Sequence, residues 1–462
     1  MRRLLDTLEP PTSIYPWNAK AWALAFRTTG VLGFALLALL LGAMIQYATP
    51  DGGGPGHSPV KILVLVRGPM CLLALLLLLF RPRTTKLHLS DTRLLFLCFG
   101  ALYLVSTLWS AIKIETLGKS VEILLATITF LEVSRMPDPI ERVNALKQIA
   151  LLTISLIATV TVIGYLIHAP GYVQARGGLF TSTTAQAPFL SGNGLGYVSS
   201  ALFLVIFADW HAHKLKTGSA VCQMMFAMGL FSVSASRTSF VILLLSILLI
   251  VGRRSKVFAL SLGFVMLLLI TVFQPQISVF LHGRESSADF STLSGRTVVW
   301  TAAIRQFHQR PFLGAGGGVG GKQVLGHIGN FSLQTMSSLH NGFMELLTGL
   351  GVVGSSLCVF LLIWVTIRTW RTWEAHPEHS GTYALVIHVW LTTIMSTGIF
   401  GWMGYEMVFF LCIMTNIDLV RRAEIAGNAA LLKFVDAGEL IMLRGDAADA
   451  YSYMSEERAA ST

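Results

Sequence analysis

The sequence predicts an all-α, polytopic integral membrane protein of about twelve transmembrane helices with one large external loop. The first observation is the composition: 53% of the 462 residues are hydrophobic and only 13% are charged, whereas soluble domains carry roughly 25% charged residues. The second is that the apolar residues form runs of about 20, the length at which a helix crosses the hydrocarbon layer. A set of soluble domains is therefore excluded.

About twelve apolar runs are long enough to be spans. They lie near residues 29–48, 60–80, 93–111, 117–134, 145–168, 193–210, 218–235, 237–252, 256–274, 341–367, 383–402 and 403–420. A Gly-Trp-Met-Gly turn at 401–404 separates the last two runs. The first run is too long and starts too late for a cleavable signal peptide.

The connections between these runs alternate in charge. Every even-numbered connection is basic, as at Arg253, Arg254 and Lys256 in the eighth. The positive-inside rule then places both termini in the cytoplasm. Topology accounts for the net charge of +10, which therefore does not indicate a nucleic-acid partner.

The predicted organisation follows from these spans and their orientation. Residues 1–28 form a cytoplasmic N-terminus, 29–272 carry spans 1–9 with a short external loop at 169–192, 273–340 form the large external loop, 341–420 carry spans 10–12, and 421–462 form a cytoplasmic tail. The tail is expected to contain one amphipathic helix around 426–435.

The large external loop interrupts the apolar sequence with three polar motifs. These are S-G-R-T-V-V-W at 294–300, R-P-F-L-G-A-G-G-G-V-G-G at 310–321, and S-S-L-H-N-G-F at 337–343. Ser294 is suited to cap a helix over roughly 295–309, and Pro311 would end it. Such a helix places Arg296 and Trp300 on one face, four residues apart.

Three external arginines are candidate anion ligands: Arg176, Arg237 and Arg296. Arg237 lies in the turn S-A-S-R-T-S at 234–239, where Ser236 and Thr238 add hydroxyl groups. A guanidinium binds phosphate oxygens bidentately, so convergence of these arginines would suit a substrate with two phosphates. The alternative is that each arginine extends to the membrane surface or to lipid headgroups.

His340 opens a span directly after the external loop. A lone histidine at a membrane boundary is usually interfacial, but an unperturbed imidazole titrates near neutral pH and is suited to general base catalysis. Glu345 is a candidate partner, although a spacing of five residues does not place it on the same helical face.

The glycines at 314–321 imitate nucleotide-binding patterns. No strand precedes them, Gln323 stands where a magnesium-binding Ser or Thr is needed, and the segment is external. A flexible loop that brings backbone N–H groups near an anion is expected instead. The pairs His211/His213 and His376/His379 are interpreted as solvated loop residues, and the five cysteines as apolar residues within spans. No metal site or cofactor is expected.

The order of these motifs resembles the bacterial O-antigen ligase and polymerase superfamily, which includes exopolysaccharide polymerases and protein O-oligosaccharyltransferases. The resemblance covers roughly 193–354 and includes H-N-G-F-x-E-L-L-x-x-L-G-x-x-G at 340–354. The sequence departs from the family pattern in its Gly-rich segment at 314–321 and its rather short external loop.

The resemblance implies a membrane glycosyltransferase of the bacterial inner membrane whose large loop is periplasmic. Such enzymes transfer a glycan from undecaprenyl diphosphate to an acceptor hydroxyl without nucleotide or metal. Carried over residue by residue, the catalytic histidine is His340 and the catalytic arginines are Arg237 and Arg296. The expected substrate-binding residues are Arg176, Asn193, Trp300 and Asn341.

The expected partners are the lipid-linked glycan donor, a glycan or lipid acceptor, and membrane lipids. A ligase that joins a finished glycan to lipid A core or a similar acceptor is preferred. A polymerase of the same fold, whose acceptor is another lipid-linked glycan, stays open. A transporter or flippase is a different class and would require paired charges in the middle of the membrane, with Arg67, Lys119 and Glu122 as candidates.

Overall fold

The computed structural model describes residues 13–44, 60–80, 91–136, 138–169, 172–174, 184–185, 192–234, 236–257, 260–261, 263–264, 296–326, 339–396, 398–400 and 404–436. The chain divides into two compact units, residues 1–415 and 416–462. The candidate site lies in the first unit.

The described residues are almost entirely helical, in agreement with the predicted class. The helices are α1 (Ala19–Thr29), α2 (Val31–Met44), α3 (Val60–Leu79), α4 (Asp91–Val105), α5 (Lys113–Val133), α6 (Pro139–Leu166), α7 (Gly192–His211), α8 (Thr217–Ser232), α9 (Arg237–Arg254), α10 (Arg296–Gln309), α11 (Gly320–Gly326), α12 (Gly342–Ala375), α13 (Ser380–Tyr383), α14 (Leu385–Met395) and α15 (Tyr405–Asp436). Short 3₁₀ turns lie at Ser106–Leu108, Pro377–His379 and Gly398–Phe400.

One antiparallel strand pair occurs among the described residues. β1 (Val173–Gln174) and β2 (Thr184–Ala185) pair with Val173 opposite Ala185 and Gln174 opposite Thr184. Both strands belong to the shorter external loop predicted at 169–192.

Three helices of the described part are long and apolar enough to cross a membrane: α6, α7 and α12. Helices α1 and α2 qualify together, but they bend by 116° at a break. Gly30 lies at that break with a φ of 55°, a conformation that glycine adopts without steric cost. These helices support a membrane protein, while the count of twelve spans stays a prediction.

The outer surface of α6 supports a lipid environment. Leu156, Val160 and Ile163 recur every three or four residues, and 44%, 44% and 52% of their surfaces are exposed. On other faces of the same helix Leu146 and Ala150 are fully buried. An apolar stripe on the outside of a helix is expected where the surrounding solvent is hydrocarbon.

Two predicted segments differ in the structure. The span predicted over 383–402 contains α14, which has only 11 residues. It ends before Gly398, whose φ of 52° leaves the helical region. The separate tail helix predicted over 426–435 is the last part of α15 instead. Most of the predicted span 256–274 lies outside the described residues.

Candidate active site

Four of the predicted site residues lie at, or just before, the beginnings of helices. Arg237 is the first residue of α9, Arg296 is the first of α10, Asn193 is the second of α7, and His340 lies two residues before α12. Asn193 is exposed, whereas Arg237, Arg296 and His340 are each partly buried. Arg176 lies outside the described residues, between β1 and β2.

His340 has an unusual backbone conformation. Its φ is 52°, in the left-handed region that residues with a β-carbon rarely adopt. Asn341 follows as the N-cap of α12, where its side-chain oxygen accepts from the N–H groups of Phe343 at 3.0 Å and Met344 at 3.1 Å. The predicted substrate-binding residue Asn341 therefore has a structural role: it starts the helix immediately after the sharp turn at His340.

The peptide before His340 is held from two sides. The N–H of Leu339 donates to Oε1 of Glu345 at 2.8 Å, and the carbonyl oxygen of Leu339 accepts from Nε1 of Trp300 at 2.9 Å. Glu345 thus reaches back to the main chain next to His340. A helical-face argument misses this contact because residue 340 lies outside the helix.

Helix α10 confirms the helix predicted over 295–309. Its side chains Val299 and Ala303 pack in one buried cluster with Val324, Leu325 and Leu339. Arg296 begins the helix, and Trp300 follows one turn later. The predicted pair therefore lies on a helix that is packed against the segment leading to His340.

Tyr197 on α7 connects the two predicted arginine regions, although the sequence analysis did not select it. Its hydroxyl is hydrogen-bonded to the side chains of Thr238 and Ser396, and it lies within electrostatic reach of Arg296 and Glu406. Tyr197 is only 5% exposed. It follows Asn193 by four residues, so the sequence alone could have predicted that both lie on the same helical face.

The turn before Arg237 is closely packed. The Ser236 hydroxyl caps α9 by accepting from the N–H of Ser239 at 3.3 Å, and the hydroxyl groups of Ser236 and Ser239 are 2.6 Å apart. A Cβ at Gly196 of α7 would overlap the Ser236 side chain. The N–H of Ala185 in β2 donates to the carbonyl of Val233 at 3.0 Å, so β2 contacts the end of α8 that leads into this turn.

The expectation that the glycine-rich segment offers N–H groups to an anion is wrong for several of them. In this Gly-rich loop (residues 310–321), Gly316 donates to the carbonyl of Gly349 at 2.8 Å and Gly317 donates to the Ser106 hydroxyl at 2.9 Å. Gly321 donates to Oε2 of Glu345 at 3.2 Å. The physical reason is close packing, because a Cβ at Gly316, Gly320 or Gly321 would overlap its neighbours.

The Gly-rich loop completes an interrupted helix. Gly351 has a φ of 61° and a ψ of −162°, which breaks α12 into an N-terminal part before it and a C-terminal part after it. The loop bridges the break through four backbone hydrogen bonds: Ala315 N–H to Thr348 O (2.9 Å), Gly316 N–H to Gly349 O (2.8 Å), Val352 N–H to Pro311 O (2.8 Å) and Val353 N–H to Phe312 O (3.3 Å). Polar groups that the broken helix would leave unsatisfied are thereby paired.

Lys119 anchors the Gly-rich loop. Its ammonium group donates to the carbonyl of Gly318 and lies 3.0 Å from a carboxylate oxygen of Glu115. That carboxylate also lies 2.8 Å from Nζ of Lys322, whose side chain is 45% exposed. The cluster therefore opens to the protein surface.

The histidines of the 376–379 segment are not both solvated. His379 is 7% exposed, and its ring lies 5.9 Å from that of Tyr383 in an edge-on arrangement. Burial lowers the pKa of His379 to about 4. His376 instead forms a 2.9 Å contact with Glu378, which is 56% exposed. Within the described residues no group of three or more His, Cys, Asp or Glu side chains could hold a metal ion.

Comparison with known families agrees with the motif order. Residues 222–359 match the sequence model of the family described as O-antigen ligase. The matched segment includes Arg237, Arg296, the Gly-rich loop, His340 and the break at Gly351. No curated protein matches the chain. The family match confirms the resemblance and supports, in general terms, a membrane enzyme of O-antigen ligase or polymerase type.

Proposed function

We propose that this chain, whose residues 222–359 match the O-antigen ligase family, is a glycosyltransferase of ligase type. In this proposal it transfers a glycan from undecaprenyl diphosphate to an acceptor hydroxyl at the periplasmic face of the inner membrane. The observation that carries the proposal is the linkage of His340 to the helix that begins with Arg296, through the hydrogen bond between Trp300 and Leu339. One hydrogen bond therefore connects the helix of the candidate diphosphate ligand to the segment that carries the candidate base.

His340 is the proposed general base. It takes the proton of the acceptor hydroxyl as that oxygen attacks the anomeric carbon of the glycan. A new glycosidic C–O bond forms while the bond between the anomeric carbon and the phosphate oxygen breaks. General base catalysis typically contributes about 10²–10⁴ in rate. A direct displacement of this kind inverts the anomeric centre.

Arg237 and Arg296 are the proposed ligands of the leaving group. The electron pair of the broken bond departs with the lipid diphosphate, and fixed guanidinium groups stabilise the charge that develops there. Tyr197 supports this pairing, because its hydroxyl contacts Thr238, which follows Arg237, and lies within electrostatic reach of Arg296. Asn193 and Arg176 are proposed to contact the same substrate.

Two arginines in this role would make a divalent cation unnecessary, and a donor already activated by its diphosphate needs no nucleotide. We therefore expect transfer to persist in EDTA and in the absence of ATP. Loss of transfer in the chelator, with recovery on addition of magnesium, would contradict the proposed role of the arginines.

The central test is transfer by the purified protein from an undecaprenyl-diphosphate glycan, with and without a lipid A core acceptor. Product that forms only with the lipid acceptor identifies a ligase. Extension of the donor glycan without it identifies a polymerase, the alternative within the same superfamily.

His340→Ala tests the base within that assay. We expect transfer to be abolished while donor binding and folding are retained. His308→Ala is the matched control, since His308 is an exposed histidine on α10. Near-normal transfer by His340→Ala would contradict the proposal, and Glu406, which is buried near Tyr197, would become the next candidate base.

A further inference from the structure

We infer that Glu345 is a positioning residue that fixes the backbone at His340, a role that rests on the proposed function of His340 as the base. The carboxylate bridges two segments that are distant in sequence. Oε1 accepts from the N–H of Leu339 at 2.8 Å, and Oε2 accepts from the N–H of Gly321 at 3.2 Å. Each oxygen of one side chain therefore holds a different piece of backbone.

The Glu345 carboxylate is buried and closely packed. Glu345 is 5% exposed, so water does not compete strongly for its oxygens. A Cβ at Gly321 would overlap the carboxylate, which explains why glycine stands at this position. Thr348 adds to the local order because its hydroxyl donates to the carbonyl of Met344 at 2.8 Å.

The bridge acts on His340 through the preceding peptide. Leu339 is held at its N–H by Glu345 and at its carbonyl by Trp300, so the orientation of the chain entering His340 is fixed. His340 then adopts a φ of 52°, a strained conformation that persists only where the surroundings enforce it. Glu345 and Trp300 both hold this conformation from outside the turn.

The chemistry of the bridge requires a carboxylate of this length. Two N–H donors converge on Glu345, and a carboxylate offers two acceptor oxygens. A glutamine offers one acceptor oxygen and would turn an NH₂ group toward the second donor. An aspartate keeps both oxygens but is one methylene shorter. Both substitutions are therefore expected to break one half of the bridge.

The test compares E345Q and E345D with wild type and with E374Q, in the full-length protein reconstituted in lipid nanodiscs. E374Q is the matched control. It makes the same carboxylate-to-amide change near the other end of α12, where the Glu374 side chain is 82% exposed and pairs with Arg253 at 3.6 Å.

Hydrogen exchange reports the bridge independently of activity. We expect peptides containing Gly321 and Leu339 to exchange faster in E345Q than in wild type, with E374Q unchanged. Unaltered exchange in E345Q would overturn the inference whatever the activity shows.

Kinetics report the consequence for His340. We expect kcat of E345Q and E345D to fall on the order of 10–100-fold, as for a misplaced reacting group, with the KM for the donor unchanged. Normal kcat in either variant would overturn the positioning role, and so would a rise in donor KM as large as the fall in kcat. Faster exchange in E345Q beside a wild-type protein that transfers no glycan would support the hydrogen-bonded bridge and overturn the proposed function instead.

Discussion

The indole Nε1 of Trp300 donates a 2.9 Å hydrogen bond to the carbonyl oxygen of Leu339. These residues are 39 positions apart in the chain. The bond joins α10, which begins with Arg296, to the residue immediately before His340. Two parts of the site that are separate in sequence thus share one polar contact.

Trp300→Phe tests this contact. The change keeps a large aromatic side chain but removes the donor, so we expect kcat for transfer to fall by roughly five- to tenfold, corresponding to about 1 kcal/mol for one hydrogen bond. Trp22→Phe is the matched control, because Trp22 makes the same kind of bond, 2.9 Å to the carbonyl of Pro16, in α1. A kcat that falls equally in both variants would contradict a specific role for Trp300.

Gly321→Ala tests whether the Gly-rich loop is a packing element. A Cβ at Gly321 would overlap the Glu345 carboxylate, whereas one at Gly326 in the same helix meets nothing within 4 Å. We expect Gly321→Ala to lower stability by about 1–3 kcal/mol, as for overpacking of a core, and Gly326→Ala to be near neutral. Thermal unfolding in detergent measures both, and equal stability of the two variants would contradict the packing role.

Lysine substitutions test the proposed diphosphate ligands. Arg237→Lys and Arg296→Lys keep the positive charge but lose the bidentate geometry, so we expect donor affinity to fall on the order of tenfold. Arg305→Lys on the exposed side of α10 is the control. Titration with an undecaprenyl-diphosphate glycan gives the affinities. Unchanged donor affinity in both site variants would contradict the proposal that these arginines bind the donor.

Cysteine labelling tests the predicted orientation. Thr301 on α10 and Lys216 between α7 and α8 are both exposed, and they are predicted to face the periplasm and the cytoplasm respectively. In intact spheroplasts, a membrane-impermeant thiol reagent should label Thr301→Cys and not Lys216→Cys, in a background whose native cysteines are replaced. The reverse pattern would invert the orientation and every assignment to the periplasmic face.

The buried imidazole of His379 predicts acid sensitivity. Its pKa falls from 6.5 to about 4, chiefly because burial disfavours the charged form. Between these values the unfolded chain binds more protons than the folded one, so stability decreases as the pH drops from 6.5 toward 4. The full loss is on the order of 2–3 kcal/mol at pH 4.

Thermal unfolding across this pH range measures that loss, with His379→Phe as the comparison because it keeps an aromatic ring without the titration. His379→Phe should show a flatter pH dependence of the melting temperature than wild type. A wild-type melting temperature that does not change between pH 6.5 and 4 would contradict the expectation.

The sequence was sufficient for features that depend on local pattern. The helix over 295–309 follows from its cap, apolar positions and terminating proline, and the motif order indicates the family. Contacts between segments that are distant in sequence could not be predicted from local pattern. Glu345 reaches Leu339 only because the chain turns through a left-handed residue, and the glycines at 314–321 have a packing role that appears only beside α12.

The bridged break in α12 has a consequence for biosynthesis. An apolar span normally satisfies its own backbone as it leaves the translocation machinery, but the groups beside Gly351 need partners from residues 311–316. Unpaired backbone groups cost several kcal/mol each in lipid. Residues 311–316 are synthesised before the span that needs them, and in the predicted orientation they cross the membrane before it emerges. In that orientation, α12 can complete its backbone hydrogen bonds only after the loop has been exported, which couples insertion of the span to translocation of the loop.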